Sequence, residues 1–270
     1  HAFALELAAA EVPVVAPLPL QPDAQDASVR CVGDPATLAL RGTQRYAVAP
    51  RRAGRPPELD DDEVLTWIGR FIGRLHEVGR RAAFTTRRRL DVDSIGWTAR
   101  DWLLAHGDLP EPAAQRWADL SARVLQAAQQ HFDDIPGLRL LRLHGDCHPG
   151  NLLWTPEGPH FVDLDDCTGG PAVQDLWMLL PGDADASRRA LAMLLEGYET
   201  FCEFDRRELA LIEPLRTLRL VHYSAWLARR WDDPAFPRAL PWFGGRDYWE
   251  GQVHMLEDQL EAMEEPPLVA

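Results

Sequence analysis

The sequence predicts an α+β fold: a small strand-bearing N-terminal part joined near residue 50 to a larger, mostly helical remainder. Three observations lead there. Two short β-type runs, near Thr37–Arg41 and Arg45–Ala49, flank a Gly42-Thr43 turn. Beyond Asp60, apolar residues recur at helical spacing along most of the chain. One hairpin interrupts them, with Leu152–Trp154 and His160–Leu164 on either side of a Pro156-Glu157-Gly158 turn.

Taken in order, residues 1–10 form a helix with Phe3, Leu7 and Ala10 on one stripe. Pro13, Pro17, Pro19 and Pro22 then hold the chain extended, because proline fixes φ and lacks an N–H. Residues 50–57 are a loop rich in Arg and Pro. Asp60-Asp61-Asp62-Glu63 places anions at a helix N-terminus, where the dipole favours them. That helix runs to about Val78, burying Val64, Ile68, Phe71, Ile72 and Leu75, and Gly79 stops it. Thr98 with Asp101 resembles a capping pair for a short helix ending before Gly107. Pro110 opens a helix to about Phe132, with Trp117, Leu120, Val124 and Ala128 inward. Residues 138–143 are a strand. From Val173 the chain is helical over 173–180, 187–202, 206–230 and 246–264, with Asp205 capping the third. The connector 232–245 is dense in Pro, Trp and Phe and packs as an ordered loop.

Composition narrows the function. The chain has 270 residues, 46% of them hydrophobic, enough for a sizeable core. A net charge of −14 argues against a general binder of nucleic acid or anionic membrane. Arg87-Arg88-Arg89 and similar basic runs read as solvated surface. All 28 basic residues are Arg. Cys31, Cys147, Cys167 and Cys202 show no metal-type or redox-type pairing, which fits a reduced cytoplasm. No run of 18 apolar residues exists, so no membrane span is expected. The chain opens in mid-helix without Met and reads as the continuation of a longer protein.

The chemistry concentrates in His144-Gly145-Asp146-Cys147-His148-Pro149-Gly150-Asn151, with Asp163 twelve residues further on. Asp146 ends a strand, where its carboxylate can accept or orient a hydroxyl proton. Asn151 offers a neutral oxygen to magnesium. Asp163, expected on the hairpin's second strand, adds an anionic one. Magnesium takes one or two such protein ligands and leaves the rest of its shell to phosphates and water. The set fits phosphoryl transfer, which asks a protein mainly for positioning and charge neutralisation. Each residue alone is commonly structural; the joint pattern is much rarer. His144 is expected to brace the loop, with a role as base the lesser alternative. Asp165 assists the metal or braces the loop. Asp175 anchors the loop. Cys147 and His148 lack a second ligand pair at zinc spacing.

Those residues carry a resemblance. His144–Asn151 with Asp163 resembles the motif of the protein-kinase-like superfamily in its aminoglycoside phosphotransferase branch. Phe161–Asp166, Gly170–Leu180 and Trp231–Pro237 are similar to the bacterial stress response kinase A family, and the similarity extends over essentially the whole chain. The resemblance implies a two-lobe kinase fold with a truncated N-terminal lobe. Residues 1–50 would be the late regulatory helix and last strands, with 45–50 near the hinge; 51–270 would be the helical lobe. It implies an ATP-dependent, magnesium-requiring serine/threonine protein kinase of the cytoplasm, with ATP and a protein substrate as partners. Asp146 matches the catalytic Asp, and Asn151 and Asp163 match the nucleotide-bound magnesium ligands. No nucleic-acid or membrane partner and a monomeric state are expected.

Two departures stand beside it. The family's Gly-rich phosphate loop and strand Lys have no counterpart, and no Lys exists at all. Glu6 and Glu11 are the nearest substitutes for the helix Glu, with surface roles expected for both. The isolated chain is therefore expected to grip ATP poorly. A phosphotransferase for an aminoglycoside, choline or homoserine-like alcohol uses the same loop, and a pseudokinase binding module is the non-enzymatic alternative. Trp177, Trp226, Trp231, Trp242 and Trp249 are candidates for an acceptor cleft or for core.

Overall fold

The computed structural model describes residues 1–21 and 28–269; the expectation for Pro22 lies outside them. Two compact units emerge, each built from separate stretches of chain. The first comprises residues 1–82, 143–167 and 178–204, the second residues 83–142, 168–177 and 205–270.

The first unit begins with helix α1 (Ala2–Ala9), which buries Phe3, Ala4 and Leu7. Strands β1 (Val29–Gly33), β2 (Ala36–Arg41) and β3 (Gln44–Tyr46) form an antiparallel meander, with Cys31 opposite Ala39 and Leu40 opposite Arg45. β1 escapes the sequence reading because Arg30 and Cys31 blur its alternation. β3 is shorter than expected, ending at Tyr46, and all three of its residues are exposed.

Helix α2 (Asp62–Gly79) is capped by Asp61, whose Oδ1 accepts from Glu63 N (2.8 Å) and Val64 N (3.3 Å). It packs on α6 (Ala184–Tyr198) through glycines. A Cβ on Gly69 would lie 1.9 Å from the Leu194 carbonyl oxygen, and one on Gly197 would lie 1.9 Å from that of Thr66. Only glycine allows backbones that close. The buried face of α2 is therefore wider than periodicity alone suggests, taking in Leu65, Gly69, Gly73 and His76, while Phe71 is only half-buried. His76 Nδ1 meets the Tyr198 hydroxyl at 3.0 Å inside this interface. Gly79 does not stop α2: it is the last helical residue, and the cap, Arg80, keeps right-handed geometry.

The hairpin β5 (Leu152–Thr155) and β6 (Gly158–Phe161) pairs Leu152 with Phe161. Chain from both sides adds to it. The Phe161 N–H donates to Pro13 O (2.7 Å), and Arg55 N and O bond Trp154 (3.0 and 2.7 Å). The proline-rich segment after α1 is thus extended, as its composition predicts, and its free carbonyls serve as a strand edge.

In the second unit a π-helical turn, Val92–Trp97, capped by Asp91, leads into α3 (Thr98–His106). Thr98 is inside the helix, its hydroxyl spent on Asp93 O (2.9 Å), so the expected Thr98/Asp101 capping pair does not form. α4 (Ala113–Asp133) starts three residues after Pro110. It buries Trp117 edge-on to Trp249 of α9 (Arg246–Glu264), centroids 5.6 Å apart. Strands β4 (Leu141–Leu143) and β7 (Thr168–Gly170) pair with each other.

The helices beyond Val173 are more broken than expected. α5 spans only Gln174–Trp177, and Pro181-Gly182 separates it from α6. A 3₁₀ turn at Arg206–Leu211, capped by Asp205, precedes α7 (Ile212–Ala228). Pro214 explains the late start, since proline's missing N–H is tolerated only in a first helical turn. The aromatic connector holds a short α8 (Ala235–Ala239). Trp177 and Trp249 are buried, Trp226 and Trp231 half-buried, and Trp242 exposed.

Candidate active site

The candidate residues all lie in the first unit. β4 ends at Leu143, and His144 follows with no exposed surface. The Asp146 N–H donates to His144 Nδ1 (3.4 Å), which leaves the ring proton on Nε2 to be donated to Val162 O (2.8 Å). His144 is thereby a brace between loop and hairpin. Gly145 takes φ +85°, a conformation costly for other residues, and so turns the chain to present Asp146.

Asp146 is half-buried. Its carbonyl accepts from His148 N (2.9 Å) and from the Asn151 side-chain Nδ2 (3.0 Å). The same Nδ2 stands 3.5 Å from Asp146 Oδ2. The loop closes on itself in this way, and Asn151 is left with Oδ1 to meet a cation. His148, which sequence reasoning set aside, belongs to the constellation. Its Nδ1 accepts from Gly150 N (3.0 Å), so a neutral ring carries its proton on Nε2, 3.5 Å from Asp146 Oδ2. The signal was present, since a histidine before a Pro-Gly turn can cap that turn and face back along the loop.

Asp163 is reached from Val162, which the loop holds at both ends: its N–H donates to Asn151 O (3.0 Å) and its carbonyl accepts from His144. Asp163 is not on the second strand, as the sequence suggested. It lies two residues past β6, exposed, with φ +58° and ψ +63°. Left-handed backbone is uncommon outside glycine, and strained positions of this kind concentrate at functional sites. Asp165 and Asp166 follow, exposed, in a 3₁₀ turn. Cys147 is buried and, among the described residues, no cluster of three His, Cys, Asp or Glu is assembled to hold a metal. The amide oxygen of Asn151 and the carboxylate of Asp163 could serve as donors, a hard set too small to cage an ion alone. It fits magnesium arriving with a nucleotide.

In the second unit, Asp175 is fully buried on α5. Glu208 is buried too. Its Oε2 accepts from Val173 N (2.9 Å), and burial pushes its carboxyl up to about 7.

Comparison with known proteins bears on this arrangement. The family model described as APH, the phosphotransferase enzyme family, matches residues 1–212. Stress response kinase A of Escherichia coli (strain K12) is 41% identical over 273 residues, covering 99% of this chain and 77% of that protein. The serine/threonine protein kinase RdoA of Salmonella typhimurium is 41% identical over 268 residues, with the same coverage. Among solved structures, amicoumacin kinase hAmiN, in complex with AMP-PNP, Ca2+ and Ami, superimposes with a TM-score of 0.64 at 18% identity, covering 99% of this chain and 77% of that one. A microcompartment-associated aminopropanol kinase gives 0.61 at 21%, covering 97% and 80%. At such identities these structures establish the fold, which is protein-kinase-like. The chain belongs to the phosphotransferase enzyme family, within its group of stress response kinases.

Proposed function

We propose that this phosphotransferase moves the γ-phosphoryl group of ATP to a serine or threonine hydroxyl of a protein. The observation that carries the reading is the double tie of Val162 to His144 and Asn151, which fixes Asp163 beside the loop of Asp146. In this reading Asp146 accepts or orients the proton of the acceptor hydroxyl as its oxygen bonds to phosphorus and ADP leaves. Asn151 and Asp163 would hold magnesium, which would neutralise charge on the phosphate oxygens. His144 holds the hairpin against the loop, and His148 Nε2 faces the Asp146 carboxylate to steady it. Residues 1–50 serve as the end of the small lobe and 45–50 as the hinge. The protein works as a monomer in the cytoplasm, where ATP is supplied. No helix among the described residues is long and apolar enough to cross a membrane.

Support for a protein acceptor comes from the 41% identity to relatives named as stress response and serine/threonine protein kinases. Transfer to a small alcohol would use the same loop. A panel with radiolabelled ATP separates the readings. Label in a serine- or threonine-bearing protein, lost in Asp146→Asn, is expected. Label only in amino alcohols or aminoglycosides would replace the protein acceptor with a small one. Nucleotide binding without transfer to any acceptor would leave a binding module.

A further inference from the structure

The second unit carries a basic face to which the proposed roles of Asp146, Asn151 and Asp163 assign nothing. It lies along the second half of α7. Arg219, His222, Trp226, Arg229 and Arg230 follow one another at spacings of three, four, three and one, which brings them to one side of a helix and its C-terminal turn. Arg88, from the loop before the π-helical turn, reaches the same face and donates its Nη1 to His222 Nε2 (3.2 Å). Its backbone is pinned: Arg88 O accepts from Thr168 Oγ1 (2.8 Å), and Leu90 N donates to Gly169 O (2.7 Å). Arg230 lies over the Trp226 ring at 4.1 Å, and Arg229 over Trp102 at 4.9 Å. Stacking on aromatic faces holds a guanidinium flat; Arg230 Nη1 also donates to Trp226 O (3.2 Å), which fixes that side chain further and leaves its remaining N–H groups for a partner. Tyr223, stacked 6.0 Å from Trp226, is exposed beside them.

The histidine marks this face as more than solvated charge. Because Nε2 accepts from Arg88, the ring proton sits on Nδ1, which is buried without a hydrogen-bond partner. A buried donor with no acceptor is costly. Burial first, and then Arg88, Arg229, Arg219 and Arg230, press the His222 pKa down to about 4. Four cations thus crowd a neutral ring on a protein whose net charge is −14. Asp232 and Asp233 follow at the helix end, and Asp233 Oδ1 is spent on Ala235 N (2.9 Å). Local conflicts of this kind are expected where a site serves binding rather than stability.

We propose that this arginine and aromatic face of α7 binds a short acidic segment of a protein partner, through carboxylate or phosphoryl oxygens. Residues 219–230 span about 16 Å of helix, the reach of about five residues of extended peptide. That length, with the overall negative charge, suits a local acidic stretch and disfavours a long polyanion such as nucleic acid. Tyr223 and Trp226 supply apolar contact between the charges. Binding at this face needs no phosphoryl transfer, so its test stands apart from the catalytic reading.

Fluorescence anisotropy on the 270-residue chain tests it with labelled peptides of Glu and Gly, the same peptides bearing phosphoserine, and a neutral Gln version. The acidic peptides should bind saturably and the neutral one should not; comparison of the two acidic arms tells which oxygen chemistry is preferred. Arg88→Gln with Arg219→Gln should weaken binding about tenfold or more. Arg116→Gln with Arg123→Gln, charge-matched changes on α4, should weaken it less than twofold in the same assay. Thermal melts establish that each variant folds. Equal loss in both pairs, no loss in the α7 pair, absence of saturable peptide binding, or tighter binding of a single-stranded oligonucleotide would overturn the assignment.

Discussion

Asn151 donates its side-chain Nδ2 to the backbone carbonyl of Asp146 (3.0 Å), and its own carbonyl accepts from Val162 N (3.0 Å). One residue therefore closes the loop that presents Asp146 and joins it to the segment that presents Asp163. Asn151→Ala should remove both a cation ligand and a loop closure. Phosphoryl transfer should fall by about a hundredfold or more, with the metal requirement shifted to higher concentration. An unchanged magnesium dependence would remove Asn151 from the site.

Asp146→Asn tests the proton-handling role. It preserves size and retains an amide oxygen, so the melting temperature should hold. Turnover should drop by about a hundred- to ten-thousandfold, as for loss of a general base. Nucleotide affinity, read by an AMP-PNP titration, should change little. Turnover near that of the unaltered chain would contradict the role.

His144 acts through Val162. His144→Ala leaves the half-buried Val162 carbonyl without its donor, a cost of about 1 kcal/mol. Thermal unfolding should show that loss, and turnover should fall because Asp163 loses its anchor. A variant as stable as the parent would show that the 2.8 Å contact contributes little.

The α2–α6 contact depends on the absence of side chains. Gly69→Ala places a methyl carbon 1.9 Å from the Leu194 carbonyl oxygen, a backbone atom that cannot swing away. Destabilisation of about 3 kcal/mol or more is expected by denaturant titration. Gly251→Ala, where a Cβ meets nothing within 4 Å, is the matched control and should be neutral or slightly stabilising.

Glu208 gives a pH signature. Burial raises its carboxyl to about 7, above the unfolded value of 4.5, so the folded chain binds the extra proton. Its contribution is fully present below the unfolded pKa and is lost as pH rises towards about 7. Stability should therefore decline across that window, and Glu208→Gln, which still accepts from Val173 N, should flatten the decline. A parallel decline in the variant would assign it to other groups.

The local arrangement of the candidate site was legible because its logic is local. His144 to Asn151 are consecutive, and a loop leading into a hairpin must bring Asn151 back beside Val162. The left-handed turn at Asp163 was not legible, since nothing in Phe161-Val162-Asp163 distinguishes one more strand residue from a turn. His148 was weighed only as a zinc ligand, so the capping signal of a histidine before Pro-Gly, realised in its contact with Gly150 N, went unused. Helices announced by spacing were found, but their ends moved. Pro214 and the Pro181-Gly182 pair set those limits through missing N–H groups and backbone freedom. The interface of α2 with α6 rests on glycines, which carry no hydrophobic signal for periodicity to detect. The α7 basic face was visible only in part, as the run Arg87–Arg89, because Arg219 and Arg229 stand more than a hundred residues away in sequence.

The proposed transfer requires Asn151 and Asp163 to share one cation beside Asp146. Paramagnetic broadening of backbone amides by Mn2+ with AMP-PNP measures this directly. Broadening centred on residues 146–151 and 162–165, abolished by Asp163→Asn, is the predicted result. Broadening centred elsewhere, or undiminished in Asp163→Asn, would contradict it.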